Sequence, residues 1–437
     1  EPALIAAERA AALAKDDPPA QALFAQLQYE TGRNAATQFA VARALAPGDM
    51  ALVRGHAGAL AAEGDGEAAL ALMTAALNDH PDWIEGQTYR ATLRRLAGTG
   101  ARADEGFAEA LRTEPHNLAL HLARFHWLAK AKSWDDARAV LHDANRACGD
   151  AGALEVARLY LEAESGAASN RPDLFDGLAD RPDPGLALAR VRHALRCGAP
   201  ERAVQIALAQ LGSPSAPLFW PYLSIGWRLL GDDRATWLDR PEQFIHAADI
   251  GLDTQDLSDL ADLLRTLHTA TAPYPDQSVR GGTQTDRPLL FRHEAIMQRT
   301  RAAIEASVRD YIDHLPAAEP GHPLLGTPRG EVKFAGSWSV RLHAQGFHVA
   351  HTHPVGWISS ALHVALPDPA AMGKEPWGWL RFGMPPPELG LDLPPYCEIE
   401  PKVERLILFP STLWHGTVPF ADGERLSIAF DIRPPRR

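Results

Sequence analysis

The pattern of hydrophobic and polar positions changes along the chain. Up to about residue 235, apolar residues recur at helical spacing in stretches such as "ARALAP" and "AEALRTEP". Beyond residue 330 the period becomes two: apolar and polar residues alternate in "SWSVRLH", "ISSALHVAL", "RLILFPS" and "RLSIAFDI". The pattern predicts an α+β chain of several domains, with helices first and an antiparallel sandwich or jelly roll of short strands at the C-terminus.

The helical part repeats with a period of 34 residues, because Pro47, Pro81 and Pro115 each close a helical stretch at that spacing. Small residues recur in step with these prolines: Ala69, Ala103 and Ala137; Ala42, Ala76, Ala110 and Ala144; and Gly64 and Gly98 at the turns. The spacing resembles the tetratricopeptide repeat, in which small residues let paired helices approach closely. An irregular helical bundle is the alternative.

Changes in composition set the predicted domain boundaries. The repeats weaken after about residue 150, although helical patterns continue. The stretch "LHTATAPYPDQSVRGGTQTDRP" is polar and interrupted by Gly and Pro, which is typical of a connection rather than a helix. We predict a helical repeat domain at residues 1–235, a linker and connecting helix at 236–290, and a β-domain at 291–437.

Composition and charge exclude several classes of partner. The 437 residues carry a net charge of −12, which argues against general binding to nucleic acid or to an anionic membrane surface. No apolar run approaches the length of a membrane span. Cys148, Cys197 and Cys397 are scattered without a disulfide or zinc framework, which favours a reducing environment. We therefore predict a cytoplasmic protein.

Three histidines lie within six positions of "GFHVAHTHPVGWISS". His351 and His353 are two residues apart and so project from one face of a strand, which Pro354 ends. His415 stands at the end of a later strand, in "LILFPSTLWHGTVPF". Two adjacent imidazoles and a third from a distant strand form an arrangement that suits a divalent metal. The alternative is a hydrogen-bonded pair of histidines in a loop.

Arg425 is the second candidate for chemistry. In "ERLSIAFDI" it shares a strand face with Ser427 and Ala429, so we expect it to point into a polar interior. A buried guanidinium requires an anion, and its planar fork matches a carboxylate. A metal beside such an arginine is what a 2-oxo-dicarboxylate requires, with one end on the metal and the other on the guanidinium. Alternatively Arg425 pairs with Glu424 or Asp431.

These segments resemble the 2-oxoglutarate/iron(II)-dependent oxygenases that occur as C-terminal domains after tetratricopeptide repeats. The resemblance covers roughly residues 275–435 and rests on "SWSVRLHAQGFHVAHTHPVGWISSALHVALP", "GWLRFG", "LILFPSTLWHGTVPF", "RLSIAFD" and the upstream "QSVRGGTQT". It implies a double-stranded β-helix, iron(II), 2-oxoglutarate and O2, with hydroxylation as the outcome. It also implies that His351 is the proximal ligand, His415 the distal ligand and Arg425 the co-substrate arginine.

The chain departs from that family at one position, because most such oxygenases place Asp or Glu where His353 stands. We predict His351, His353 and His415 as the metal ligands. In the alternative, a water or an acidic residue from elsewhere completes the metal site and His353 only supports it. Residues that could line the substrate pocket are Arg280, Gln284, Arg341, His348, Trp357 and His363.

The leading hypothesis is an Fe(II)/2-oxoglutarate-dependent dioxygenase that hydroxylates a peptide or protein side chain presented by the helical repeats. Two alternatives stay open. One is a cupin-like metalloenzyme that uses no 2-oxoglutarate, since three-histidine sites also suit other dioxygenases. The other is a non-catalytic repeat scaffold or peptide-binding protein. Neither nucleic acid nor a membrane is expected as a partner.

Overall fold

The computed structural model describes residues 2–98, 102–178 and 183–435. Its contacts form two compact units. The first comprises Glu1–Glu155, Asp262–Gln277 and Thr283–Arg299, and the second comprises Val156–Ala261, Ser278–Gly282 and Thr300–Arg437. The boundaries expected at residues 235 and 290 follow the repeat pattern rather than these contacts, and they stay a prediction.

The first unit is built from a series of helices: α1 Pro2–Leu13, α2 Pro18–Glu30, α3 Ala36–Leu45, α4 Met50–Ala62, α5 Gly66–Asp79, α6 Ile84–Leu96, α7 Glu105–Thr113, α8 Leu118–Lys130 and α9 Trp134–Cys148. Helices α4, α6 and α8 begin at Met50, Ile84 and Leu118, which are 34 residues apart. The period that the prolines and alanines predict is therefore the period of the helices.

The turn after the first helix of each repeat needs a left-handed residue. Gly64 and Gly98 occupy it with φ of +92° and +73°, and Lys132 occupies the same position one repeat later with φ of +57°. Glycine adopts this conformation without steric cost, whereas a residue with a Cβ does not. The predicted role of the two glycines as turn residues is confirmed.

The recurring alanines lie between the paired helices. Of the two series, Ala42, Ala69, Ala103, Ala110, Ala137 and Ala144 are buried, and Ala76 is half-buried. A methyl side chain at these positions leaves no space for a larger one, because protein interiors are close-packed. Small residues therefore set the distance between helices.

We expect Ala137→Leu to lower the free energy of unfolding by about 1–3 kcal/mol, because overpacking forces a backbone shift or a strained rotamer. Ala137 is 0% exposed on α9. Urea unfolding followed by circular dichroism measures the change. Ala139→Leu is the matched control, since Ala139 is exposed on the same helix. Equal stability of the two variants would contradict close packing at Ala137.

The first unit also includes two later stretches of chain, residues 262–277 and 283–299. Their groups bind backbone carbonyls at the C-terminal ends of two of the repeat helices. The Thr271 N–H donates to the Leu96 carbonyl at 2.8 Å, after α6, and the Arg292 Nη2 donates to the Gly32 carbonyl at 3.4 Å, after α2. The Arg95 Nε donates to the Pro273 carbonyl at 3.0 Å. The repeats thus bind a segment of their own chain.

The remaining elements are as follows: helices α10 Gly152–Glu164, α11 Pro184–Arg196, α12 Pro200–Ala209, α13 Trp220–Leu230, α14 Arg234–Asp239, α15 Pro241–Phe244, α16 Thr254–Leu267, α17 Ala295–His314 and α18 Pro369–Met372; and strands β1 His246–Asp249, β2 Val279–Gln284, β3 Phe334–His348, β4 Ile358–Ala365, β5 Leu380–Phe382, β6 Cys397–Ile399, β7 Arg405–Pro410, β8 His415–Thr417 and β9 Arg425–Ile432. Within the described residues, no helix has both the length and the apolar character of a bilayer span.

The strands form two sheets, in the orders β1-β7-β4-β9-β3-β2 and β6-β5-β8. β9 pairs antiparallel with both β3 and β4, which brings Arg425 opposite Leu342 and Asp431 opposite Ser359. Apolar residues such as Ile428 and Phe430 are buried in the larger sheet. The predicted fold class is confirmed: a tetratricopeptide-like helical array precedes a double-stranded β-helix.

Helix α13 anchors the loop that leads into β8. The Trp414 Nε1 donates to the Pro221 carbonyl at 2.8 Å, and the Trp414 ring meets the edge of Tyr222 with centroids 5.4 Å apart. In the same unit the Tyr396 hydroxyl donates to the buried Asp239 carboxylate at 2.6 Å. The Trp414 contacts hold the chain just before β8, where His415 stands, and the Tyr396 bond holds the chain just before β6.

Candidate metal centre

The three predicted metal ligands converge. One ligand nitrogen from each of His351, His353 and His415 can be chosen so that all three lie within 4.8 Å of one another. The ring centroids are 4.2 Å apart for His351 and His415 and 5.0 Å apart for each of the other two pairs. Residues more than sixty positions apart in sequence therefore share one centre.

Backbone pairing explains this convergence. The prediction that a strand carries His351 and His353 up to Pro354 is wrong, because β3 ends at His348 and both histidines lie in the loop that follows. His351 and His415 form an isolated antiparallel bridge, in which the His351 N–H donates to the His415 carbonyl at 2.9 Å and the reverse bond is 3.1 Å. Directly opposite residues in such a pair project to one side of the sheet. The His353 N–H donates to the Ser411 carbonyl at 3.0 Å, which fixes the third histidine beside the other two.

The hydrogen bonds of the rings indicate their tautomers. The Nδ1–H of His351 donates to the Val349 carbonyl at 2.9 Å, and the Nδ1–H of His415 donates to the Leu413 carbonyl at 3.0 Å. A carbonyl can only accept, so each proton sits on Nδ1 and each Nε2 keeps its lone pair. This is the tautomer that binds a metal through Nε2.

Both of these histidines are neutral. Burial lowers the pKa of His351 well below its ordinary value, and His415, His353 and His348 lower it further. Burial likewise lowers the pKa of His415, with a contribution from His353. A metal ligand must be deprotonated at the coordinating nitrogen, so the neutral state that burial favours is the state that can bind a cation.

His353 binds a carboxylate through its other nitrogen. Its Nδ1 lies 2.7 Å from the Asp431 Oδ1, and the two side chains are 12% and 10% exposed. A carboxylate accepts from Nδ1–H, which leaves Nε2 of this ring for a metal as well. Three imidazole nitrogens of this kind fit iron(II), zinc or nickel, so the donor set is compatible with the metal that the resemblance implies.

Asp431 is the residue that sequence reasoning missed in this role, since it was considered only as a partner for Arg425. Its other hydrogen bond comes from the Ser359 hydroxyl at 2.6 Å. A signal existed in the sequence: Asp431 lies six positions after Arg425 and so continues the face of Ser427 and Ala429. Parity places it inward, but it does not say which inward group it meets.

Arg425 is buried at 3% exposure and has no carboxylate beside it among the described residues. Its Nη1 donates to the Gly378 carbonyl at 2.8 Å, and its Nε has no hydrogen-bond partner. Glu424 instead pairs with Arg341 at 2.6 Å, and Asp431 pairs with His353. Both alternatives for Arg425 are wrong. Burial lowers the pKa of its guanidinium to about 10, as expected of a cation that lacks an anion.

His363 lies beside Arg425 and is 0% exposed. The Arg425 Nη2 is 3.4 Å from the His363 Nδ1, which must accept because the guanidinium can only donate. The His363 proton therefore sits on Nε2, and that atom has no partner among the described groups. Burial and Arg425 lower the pKa of His363, so the ring is neutral. Two unsatisfied donors in one buried place favour an anionic ligand with two oxygens.

His348 lies near the centre but outside the group of converging nitrogens. The Ser278 Oγ is 2.9 Å from the His348 Nδ1 and 3.3 Å from the His351 Nε2. The shorter distance indicates that the Ser278 hydroxyl bonds mainly to His348. Burial lowers the pKa of His348 to about 3, helped by Arg425, His353 and Arg280. Arg425 and Arg280 therefore give the surroundings of His348 a positive electrostatic potential.

The other residues considered for the pocket occupy different surroundings. Arg341 forms its ion pair with Glu424, and Trp357 is buried with its Nε1 donating to the Leu324 carbonyl at 3.0 Å. Arg280 lies on β2 and bonds the Val279 carbonyl at 2.8 Å. Gln284 belongs to the first compact unit. A role for these four in substrate binding stays a prediction.

Aromatic rings surround the histidines. Phe409 lies 4.6 Å from His415 and Phe382 lies 6.5 Å from it, measured between ring centroids, and both are fully buried. Trp338 lies 5.5 Å from His353. Such a wall keeps water from one side of the centre and strengthens electrostatic interactions within it.

Comparison with known proteins agrees with this geometry. Residues 336–431 match the family model described as "Putative 2OG-Fe(II) oxygenase". The resemblance to this oxygenase family is confirmed over these residues. The matched range includes the three histidines and Arg425, and the family is one that implies iron(II) and 2-oxoglutarate. No curated protein sequence matches the chain.

Several solved structures are distantly similar. A prolyl-4-hydroxylase from Pseudomonas putida is 16% identical over 44% of this chain and 94% of its own, with a TM-score of 0.30. A 2OG-Fe(II) oxygenase family oxidoreductase from Burkholderia pseudomallei is 14% identical over 44% and 85%, with a TM-score of 0.28. A tetratricopeptide repeat protein from Parabacteroides merdae is 17% identical over 52% and 90%, with a TM-score of 0.35.

Proposed function

We propose that the chain is an oxygenase that depends on iron(II), 2-oxoglutarate and O2. His351, His353 and His415 would hold the metal through Nε2, and Arg425 would bind the distal carboxylate of 2-oxoglutarate. Two observations carry the proposal. Three imidazoles converge with one nitrogen each free to bind a metal, and the same compact unit contains a buried arginine that has no carboxylate partner among the described residues. When bound, iron would supply the activation of O2 that oxidation of a C–H bond requires.

The residues of the chain have separable tasks in this proposal. The carbonyls of Val349 and Leu413 hold two imidazoles in the metal-binding tautomer. The His363 Nε2–H would donate to the same carboxylate as Arg425, because both are unsatisfied donors in one buried place. Phe382 and Phe409 exclude water beside His415.

We propose a peptide or protein side chain as the substrate, presented by the helical repeats. Tetratricopeptide-like arrays expose extended surfaces that suit peptides, which supports this choice. Part of the surface of the array is occupied by the chain itself, since carbonyls at the ends of α2 and α6 bind Arg292 and Thr271. A substrate peptide at those helix ends would have to displace that segment.

We expect the purified chain, loaded anaerobically with iron(II) and then given O2, to convert 2-oxoglutarate to succinate, with faster turnover in the presence of a substrate peptide. Succinate is measured by mass spectrometry against a panel of peptides, and the matching peptide gains one oxygen atom. The iron-free chain is the control. Metal binding without any use of 2-oxoglutarate would indicate a cupin-like metalloenzyme, and a chain that binds no metal would indicate a scaffold.

A further inference from the structure

The metal centre contains no negatively charged ligand among the described residues, since the converging group consists of three histidines. A divalent ion bound there would keep its full charge of two, and the buried Arg425 guanidinium adds another. Uncompensated charge in a buried site is costly, because low polarisability around it strengthens every repulsion. Before the co-substrate binds, a buried anion near the centre would offset this charge.

Asp431 is a buried acidic residue in contact with one of the three histidines. Its Oδ1 lies 2.7 Å from the His353 Nδ1, on the side of the ring away from the nitrogen that would bind the metal. Its side chain is 10% exposed, and neither Arg425 nor any other arginine or lysine pairs with it among the described residues. A carboxylate that accepts the outer proton of a metal-bound imidazole makes that imidazole a stronger donor.

Two serines fix the carboxylate in place. The Ser359 Oγ is 2.6 Å from the Asp431 Oδ1 and 2.8 Å from the Ser411 Oγ. An ionised carboxylate can only accept, so the single proton of Ser359 points to Asp431 and the Ser411 hydroxyl donates to Ser359. The backbone holds the same geometry, because Ser359 and Asp431 are directly opposite on β4 and β9.

We infer that Asp431 is a positioning residue that supplies, through His353, the negative charge that a directly bound carboxylate would supply to the metal. The inference rests on the proposed function, since it presupposes a metal on the three histidines. The His353–Asp431 pair then supplies the same net negative charge as one acidic ligand. The missing acid at position 353 is compensated by an acid one hydrogen bond further away.

Asp431→Asn tests the charge and preserves the shape and one accepting oxygen. We expect anaerobic titration of the metal-free chain with iron(II) to show an affinity about 10–100-fold lower than that of the wild type. We also expect the visible absorption bands of the cobalt(II)-substituted chain to shift, which a purely structural role would not produce in a variant that unfolds at the same temperature. Asp249→Asn is the control, since Asp249 is an exposed carboxylate of the same sheet. Equal affinity and identical cobalt spectra in Asp431→Asn would overturn the inference.

A second pair of variants moves the charge. We expect His353→Asp alone to bind iron(II) weakly, because two carboxylates would face each other across a short distance. We expect His353→Asp with Asp431→Asn to bind more tightly than the single variant, because one carboxylate then remains. A double variant no better than the single one would contradict the inference. A wild-type chain that binds no metal would overturn the proposed function as well, whereas equal affinities overturn the inference alone.

Discussion

His415→Ala is expected to lower the affinity for iron(II) by more than about 100-fold and to abolish the conversion of 2-oxoglutarate to succinate. Loss of a group that only supports a ligand costs about 10–100-fold, so loss of a ligand should cost more. The backbone of His415 pairs with that of His351 in the bridge between β8 and the loop after β3, and this pairing brings the His415 imidazole beside the other two. Without it, two nitrogens from one short segment remain, and two are too few for a tight site.

Anaerobic titration with iron(II), followed by calorimetry or by competition with a coloured chelator, measures this effect. His343→Ala is the matched control, because His343 is an exposed histidine of the same β-domain. Since His415 is buried, His415→Gln is measured alongside to separate a lost ligand from a cavity. Unchanged iron affinity in both His415 variants, with intact thermal unfolding, would show that the three histidines do not form the metal site.

The fold was accessible from the sequence because its signals are local. The 34-residue period follows from the length of a helix pair with its turns, and it appears in prolines and alanines that any such pair requires. The period of two beyond residue 330 follows from the pleat of a strand. Lys132 shows the limit of such signals, since it adopts the left-handed turn conformation without the glycine that marks the other repeats.

The candidate site was accessible in part. Parity predicts His351 and His353 on one face of a strand, but β3 ends at His348 and both histidines lie in the loop that follows. His415, expected at the end of a strand, begins β8 instead. The three residues converge as predicted, but through a backbone bridge that the sequence pattern does not reveal. The partner of His353 was not accessible, because it depends on the register between β4 and β9, which sets Asp431 opposite Ser359. A shift of that register by one residue would turn Asp431 away from the centre.

The same limit applies to the polar stretch before the β-domain. Its Gly and Pro content predicts a connection, whereas the structure has strand β2 at Val279–Gln284 within it. Composition also cannot show that other parts of the stretch bind to distant helices. The bonds from Thr271 and Arg292 to carbonyls at helix ends are tertiary contacts between residues far apart in sequence. They depend on where the repeat helices end in space, so no pattern within the stretch reveals them.

Arg425→Met is expected to weaken the binding of 2-oxoglutarate and to leave the ligand-free chain at least as stable as the wild type. Removal of one partner from a buried charge pair costs about 2–5 kcal/mol, so the dissociation constant for 2-oxoglutarate should rise by about 30-fold or more. In the absence of ligand, the substitution should not lower the free energy of unfolding, because it removes a buried charge that has no anionic partner. Burial lowers the pKa of Arg425 from 12.5 to about 10, and such a shift corresponds to about 3 kcal/mol against the charged form in the folded state.

The sign of that contribution follows from the direction of the pKa shift. The guanidinium is charged at neutral pH, so the folded chain carries the full penalty there and loses it only as the pH rises above about 10. Methionine fills a similar volume without a charge, so we expect the ligand-free unfolding temperature to stay level or rise. Adding 2-oxoglutarate with nickel(II) should raise the unfolding temperature of the wild type and should no longer raise it beyond the effect of nickel(II) alone in Arg425→Met. Arg405→Met is the control, since Arg405 pairs with the exposed Asp249 and should change neither quantity. If Arg425→Met binds 2-oxoglutarate as tightly as the wild type, the guanidinium does not hold the co-substrate.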